Sequence, residues 1–339
     1  MNNQTEECLS EDDGSSIVMP VPRLVSLVIP VYNECETIPY LRNALTEWKH
    51  SLKCGLEVML VDDGSKDSSS AMLCQWADDD PDVRVVVLSR NFGHQAAVSA
   101  GCRFARGEVI VIIDADLQDP LDVIPRMIDK YCEGYDVVYG RRISREGEGV
   151  FKRFTAWLFY RIMRFLVDQQ LPEDVGDFRL VSRRCMDVVL QMGEVHRFLR
   201  GMFAWVGFRQ TAVEYRRDAR RHGQTKYPFS KMVRLALDAA LSFSTVPIKL
   251  IGWAGFATAM LGLVWAVYSV IRALVLHDTV PGWTTLVVLF ALVGGMILIA
   301  LSVIGEYVAR VYEQVKGRPL YVVRDVRNID IKNGGQTSG

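Results

Sequence analysis

Glu108-Val-Ile-Val-Ile-Ile-Asp114-Ala115-Asp116-Leu-Gln118-Asp-Pro120 decides the fold. Five apolar residues with branched side chains, Val109 to Ile113, run straight into acids. Such a run reads as a buried parallel strand, because a parallel strand is covered on both faces and shows no alternation. Its C-terminal end then carries Asp114, Asp116 and Gln118, and ligands of open α/β sheets sit at the carboxyl ends of strands. Carboxylates at alternate positions followed by an amide oxygen make a hard, all-oxygen cluster. That donor set suits Mg²⁺ or Mn²⁺ shared with a substrate's phosphates. Taken alone, a strand followed by a solvated acidic turn explains the same residues.

Working outward, strands and helices alternate. Strands are expected at Val25–Val31, Leu56–Val61, Arg84–Leu88 and Asp136–Tyr139, and helices at Thr37–Ser51, Ser69–Ala77, His94–Ala105 and Leu121–Cys132. This order implies an α/β domain with a mainly parallel, Rossmann-like sheet. No Gly-x-Gly-x-x-Gly or Walker loop is present, so neither a dinucleotide fold nor a P-loop ATPase is favoured. Two more strands end in polar clusters on the same expected edge, Tyr32-Asn33-Glu34 after Pro30, and Asp62-Asp63. Each cluster alone reads as a turn. Three together can hold a base, a sugar and a metal-bound diphosphate.

Further on, Phe151, Phe154, Leu158, Ile162 and Phe165 recur at helical spacing among Lys152, Arg153, Arg161 and Arg164. A basic amphipathic helix over about 150–168 is expected, lying in a membrane interface or packed on the sheet. Gly176-Asp177-Phe178-Arg179-Leu180 reads locally as a turn. Helices are expected at Arg183–Met192 and Arg197–Trp205, then an antiparallel edge strand at Phe208–Tyr215. The basic loop Arg216 to Tyr227 contains Arg220, Gly223 and Lys226, and suits lipid head groups or a diphosphate.

Two apolar runs follow, Leu250–Ile271 and Trp283–Ile304, neither containing Asp, Glu, Lys or Arg. About 20 such residues span a bilayer as a helix. Cations cluster outside the pair, at Lys226, Lys231, Arg234 and Lys249 before it and Arg310, Lys316, Arg318 and Arg324 after it. The positive-inside rule puts both flanks in the cytoplasm, on the inner membrane. The expected organisation is a disordered tail (1–22), a catalytic domain (23–225), a juxtamembrane segment (226–249), two transmembrane helices (250–271 and 283–304) and a cytoplasmic C-terminal tail (305–339). The net charge of −1 carries no nucleic-acid signature. Seven cysteines without Cys-x-x-Cys spacing point to reduced thiols. Gly294-Gly295 permits close helix packing, which leaves a homo-oligomer open.

These motifs in this order resemble the inverting glycosyltransferases of family 2. They are Pro30-Val-Tyr-Asn-Glu34, Val61-Asp-Asp-Gly-Ser65, Asp114 to Pro120, Gly176 to Leu180 and Arg220-x-x-Gly-x-Thr-Lys226. The nearer likeness is to polyprenyl-phosphate glycosyltransferases, namely bactoprenol glucosyltransferases and dolichol-phosphate mannose synthases. Two C-terminal spans ending in Gly305-Glu-Tyr307 fit the former branch. The resemblance implies a GT-A type domain that takes a nucleotide sugar, UDP-glucose being favoured, and polyprenyl phosphate as acceptor. It implies that Pro30, Tyr32, Glu34 and Asp62 hold base and ribose, with Asp114 and Ala115 at the nucleotide. Asp116 and Gln118 would hold the metal, Arg142, Arg220 and Lys226 the diphosphate, and Asp177 would be the catalytic carboxylate. Arg141 beside Arg142 leaves that register open by one residue. Polysaccharide synthases share the sheet but carry Gln-x-x-Arg-Trp, absent here. A membrane-bound nucleotide-sugar scaffold without turnover is the remaining alternative.

Overall fold

The computed structural model describes residues 18–142, 175–216, 246–276 and 282–329. The expected helix at 150–168 and the loop bearing Arg220 and Lys226 lie outside the described residues.

Eight strands form one mixed sheet in the order β7-β5-β6-β4-β1-β2-β3-β8. They are β1 (Leu24–Val31), β2 (Gly55–Asp62), β3 (Val83–Leu88), β4 (Val109–Ile112), β5 (Val137–Arg142), β6 (Val175–Ser182), β7 (Gln210–Tyr215) and β8 (Val323–Arg327). The centre, β4-β1-β2-β3, is parallel, as the apolar runs predict. β6 enters antiparallel between β4 and β5, and β8 closes the other edge antiparallel to β3.

Residues of period two feed both faces. Val25, Leu27, Ile29 and Val31 of β1 pack with Leu41 of α1 (Ile38–Lys49), Leu73 and Trp76 of α2 (Ser69–Asp79) and Met127 of α4 (Val123–Cys132). Val28 of the same strand packs on the opposite face with Ala97 and Ala100 of α3 (His94–Phe104), Met186 of α5 (Arg183–Gln191) and Phe203 of α6 (Leu199–Trp205). α3 sits close to the sheet because Gly101 leaves room. A Cβ there would stand 2.5 Å from Val28 Cγ1 and 2.8 Å from Val61 Cγ2.

Two expectations need correction. The segment Phe208–Tyr215 does supply an edge strand, but β7 runs parallel to β5, not antiparallel to its neighbour. The Gly176–Leu180 segment is no turn: it lies inside β6, whose Phe178 and Leu180 are buried. β6 points opposite to β4 and β5, so β5 and β7 end up parallel on its far side.

Two long helices follow, α7 (Val246–Leu276) and α8 (Trp283–Val315). Among the described residues one helical segment, Val293–Val315, is long and apolar enough to cross a membrane by length and composition. A shorter apolar stretch, Ile251–Trp265, lies in α7. The far end of α8 touches the sheet domain: Gln314 Nε2 donates to Gly193 O (2.5 Å), Val195 N–H donates to Gln314 Oε1 (3.1 Å), and His196 Nε2 meets Glu313 Oε2 (2.6 Å). The chain then returns to form β8, which Asn328 pins by donating to Val83 O (2.9 Å) and to Ala77 O.

Candidate active site

Because β1, β2, β4 and β5 point one way, their C-terminal ends share one edge. β6 runs the other way, so its beginning falls there too. Its register with β4 pairs Ile112 with Arg179; carried on by two residues, that register sets Asp177 opposite Asp114.

At the end of β1, Pro30 pairs with Val61 in register, and Tyr32 is exposed. Asn33 takes a positive φ of 53°. Its N–H donates to Ser65 Oγ (2.9 Å), while Lys66 N–H donates to its Oδ1 (2.8 Å). Glu34 N–H donates to Ser69 Oγ (2.9 Å), and Thr37 Oγ1 donates to Glu34 Oε2 (2.8 Å). The end of β1 is thus laced to the turn after β2. That turn depends on Gly64, whose φ of +66° and 2.3 Å approach of a would-be Cβ to the Arg90 carbonyl carbon exclude a side chain.

Asp62 is fully buried; Ser65 N–H donates to its Oδ1 (3.0 Å), and its Oδ2 has no hydrogen-bond partner. A buried oxygen of this kind is costly unless a ligand donor meets it. Asp63 instead caps the loop before α3, accepting from Phe92 N–H (2.8 Å) and Gly93 N–H (3.0 Å). Burial raises its pKa against those two donations.

Past β4, Ala115 is buried, Leu117 has a φ of 52°, and Gln118 N–H donates to Asp116 Oδ1 (3.2 Å). This tight turn sets Asp116 and Gln118 on either side of Leu117. Among the described residues no group of three or more His, Cys, Asp and Glu side chains converges as metal ligands. A carboxylate and an amide oxygen are nonetheless hard oxygen donors of the kind a divalent cation such as Mg²⁺ or Mn²⁺ takes. The half-buried Asp114 is pushed up to about 6, first by desolvation and then by the nearby Asp177, Asp119 and Asp116, with His94 opposing.

Asp177 is the centre of charge. Arg200 Nε of α6 donates to its Oδ1 (2.8 Å), and His94 Nε2 lies 3.3 Å from its Oδ2. Desolvation would raise its pKa, but Arg200 and His94 outweigh it and hold the carboxylate well below the usual range. Beneath it, Arg179 is buried, donates to Gly176 O (3.0 Å), stacks over Phe203 (5.0 Å) and is lowered by burial to about 10.

Arg142 ends β5. Its Nε donates to Tyr215 Oη (3.2 Å), which donates to the buried Asp119 Oδ1 (2.5 Å), and its guanidinium lies 3.7 Å from the same oxygen. Arg141 is paired loosely with Glu214 at 3.9 Å, so the geometry places Arg142, not Arg141, at the acidic cluster.

A model of the family described as "Glycosyl transferase family 2" matches residues 26–190. A glycosyltransferase of Bacillus subtilis (strain 168) is 44% identical over 307 residues, covering 91% of this chain and 95% of the relative. The chain belongs to glycosyltransferase family 2. Within that family, a prophage bactoprenol glucosyl transferase homolog of Escherichia coli (strain K12) is 36% identical, covering 89% of this chain and 99% of its own length. The bactoprenol glucosyl transferase of Shigella phage SfII is also 36% identical, covering 88% and 97%. The protein is therefore a glycosyltransferase with the α/β sheet expected of it.

As a family 2 enzyme it brings Asp62, Asp114, Asp177 and Arg142 to one edge, with Asp116 and Gln118 on the adjoining turn. His94, Arg200, Asp119 and Tyr215 join them, and the sequence reading assigned none of these a role. A signal existed for His94: β3 also ends on this edge, and Asn91-Phe92-Gly93-His94 is its polar end. Arg200 sits in a short helix with no local motif to mark it.

Proposed function

We propose that the enzyme transfers a sugar, with glucose from UDP-glucose favoured, to undecaprenyl phosphate at the cytoplasmic membrane face, inverting the anomeric centre. Alignment with the bactoprenol glucosyl transferases over nearly the whole chain carries this reading. In it Pro30, Tyr32, Glu34 and Asp62 receive the base and ribose, and the unpartnered Asp62 Oδ2 awaits a donor from them. Asp114 and Ala115 flank the nucleotide. Arg142 faces the diphosphate, joined by Arg220 and Lys226.

Asp116 and Gln118 would hold a divalent cation, which when bound supplies positive charge to the departing diphosphate. A lipid phosphate oxygen attacks carbon one. The bond from that carbon to the diphosphate breaks, and its electron pair leaves with the nucleoside diphosphate. A phosphate monoester has a second pKa of about 6 and is largely ionised at neutral pH. No strong base is needed, so Asp177 orients the acceptor or the sugar. Held ionised by Arg200 and His94, it is poorly suited to carry a proton.

The acceptor's isoprene chain cannot leave a bilayer cheaply, at about 0.8 kcal/mol per buried CH₂. Two spans, one within α7 and one within α8, with the basic segments near 150–168 and 216–227, would bring the site to head-group height. The test is a panel of labelled UDP- and GDP-sugars offered to purified enzyme with undecaprenyl phosphate. Label in the organic extract from UDP-glucose is expected; label entering none of the lipid fractions, or entering water-soluble alcohols equally, overturns the reading.

A further inference from the structure

His94 opens α3 and stands between carboxylates from two strands. Its Nε2 lies 3.3 Å from Asp177 Oδ2 and 3.9 Å from Asp114 Oδ1. That nitrogen is closed off from solvent and makes no hydrogen bond of ordinary geometry. A shielded nitrogen without an aligned partner is costly as a neutral group, but between two anions it is well placed as a cation. Arg200 already grips Oδ1 of Asp177, which leaves Oδ2 to the imidazole.

We infer that His94, as imidazolium, is a positioning residue for sugar transfer: it holds Asp177 Oδ2 in place and screens Asp177 from the repulsion of Asp114. The inference rests on the reading of Asp177 and Asp114 as site residues. The supports of His94 are fixed independently of any ligand. Asp63 secures the loop before it through Phe92 and Gly93, and Leu199 N–H of α6 donates to Gln95 Oε1 of α3 (3.2 Å). The helix bearing His94 and the helix bearing Arg200 are thus tied together, and both reach the same carboxylate.

The charged groups facing His94 are Asp63 just past β2, Asp114 just past β4, Asp177 from β6 and Arg200 from α6. Desolvation and Arg200 disfavour the imidazolium, the acids outweigh them, and its pKa is raised. A raised value means the charge is present below it and lost as pH climbs through it. Activity therefore falls on an alkaline limb set by His94.

The test uses the full-length enzyme in vesicles with undecaprenyl phosphate and the donor found active in the panel, comparing H94Q, H94K and D177N. H94Q is expected to lower kcat roughly tenfold or more, as loss of a charged contact to a positioned group does, with donor KM little changed. H94K should recover most of kcat and move the alkaline limb up toward the ordinary lysine value of about 10.4. An H94Q enzyme equal to wild type, or H94Q and H94K equally impaired with an unmoved limb, overturns the inference. Full activity in D177N defeats the reading of Asp177, whereas loss in D177N beside an intact H94Q defeats only the role of His94. A readout free of turnover is carbon-13 NMR of labelled histidine. The histidine signal that vanishes in H94Q should titrate above 6.5 in the wild type and drop in D177N. Titration of His94 at or below 6.5 overturns the inference.

Discussion

Asp177 keeps its charge against the desolvation that β6 imposes on it, and Arg200 and His94 make that tolerable. The sign of the linkage follows from the depressed pKa. Its stabilisation is complete above the ordinary value of 3.8 and is lost as pH falls below that toward the folded value. D177N leaves Arg200 facing an amide and should cost about 2 kcal/mol near neutral pH, discounted for the part-exposed guanidinium. In thermal melts the gap between wild type and D177N should narrow as pH drops below 3.8. On the proposed reading, Asp116→Asn should cut transfer at least about a hundredfold while leaving the protein in the membrane fraction, since the substitution removes one charge on the turn after β4 and alters neither α7 nor α8. Near-normal turnover by that variant with Mg²⁺ supplied would refute Asp116 as a ligand. Asp62, Asp114, Asp116 and Gln118 were legible in the sequence because each follows a buried apolar run. Arg200 was not, because its role comes from where α6 lands and not from its neighbours.

Among the elements, β6 was the least legible. Gly176-Asp177 has the composition of a turn, and only the partners on either side make it a strand. Gly176 is there for space: a Cβ would stand 2.5 Å from an Arg142 terminal nitrogen. Gly176→Ala should leave the fold intact, displace the guanidinium from Asp119 and Tyr215, and raise the donor KM more than it lowers thermal stability. Steady-state kinetics beside a melting curve checks this. Gly101 meets branched carbons of the sheet in place of a mobile tip, so Gly101→Ala should destabilise by roughly 1–3 kcal/mol through overpacking of α3, read as a lowered melting midpoint. The direction of β7 is hidden in its sequence for a related reason: alternation reports that one face is exposed, not which way the neighbour runs.

At the scale of the molecule, the core strands and their helices were readable from unbroken apolar runs and the alternating order of elements, and the return of the chain as β8 was not. Val323-Arg-Asp-Val-Arg327 is short and charged, like many edge strands, and its partner β3 lies more than two hundred residues earlier. Gln314→Ala, which removes both contacts to 193–195, should loosen the loop before α6. Faster amide exchange across 193–200 with the rest of the sheet unchanged is the expected result.

The junction at Glu313 and Gln314, followed so closely by β8, gives the hydrophobic stem two rivets into the globular head. A stem joined by one slack thread would let the head swivel and graze a wide circle of lipid. Riveted twice, the head keeps one bearing on its stem, and on the proposed reading a lipid carrier would have to drift laterally to a mouth held at that bearing.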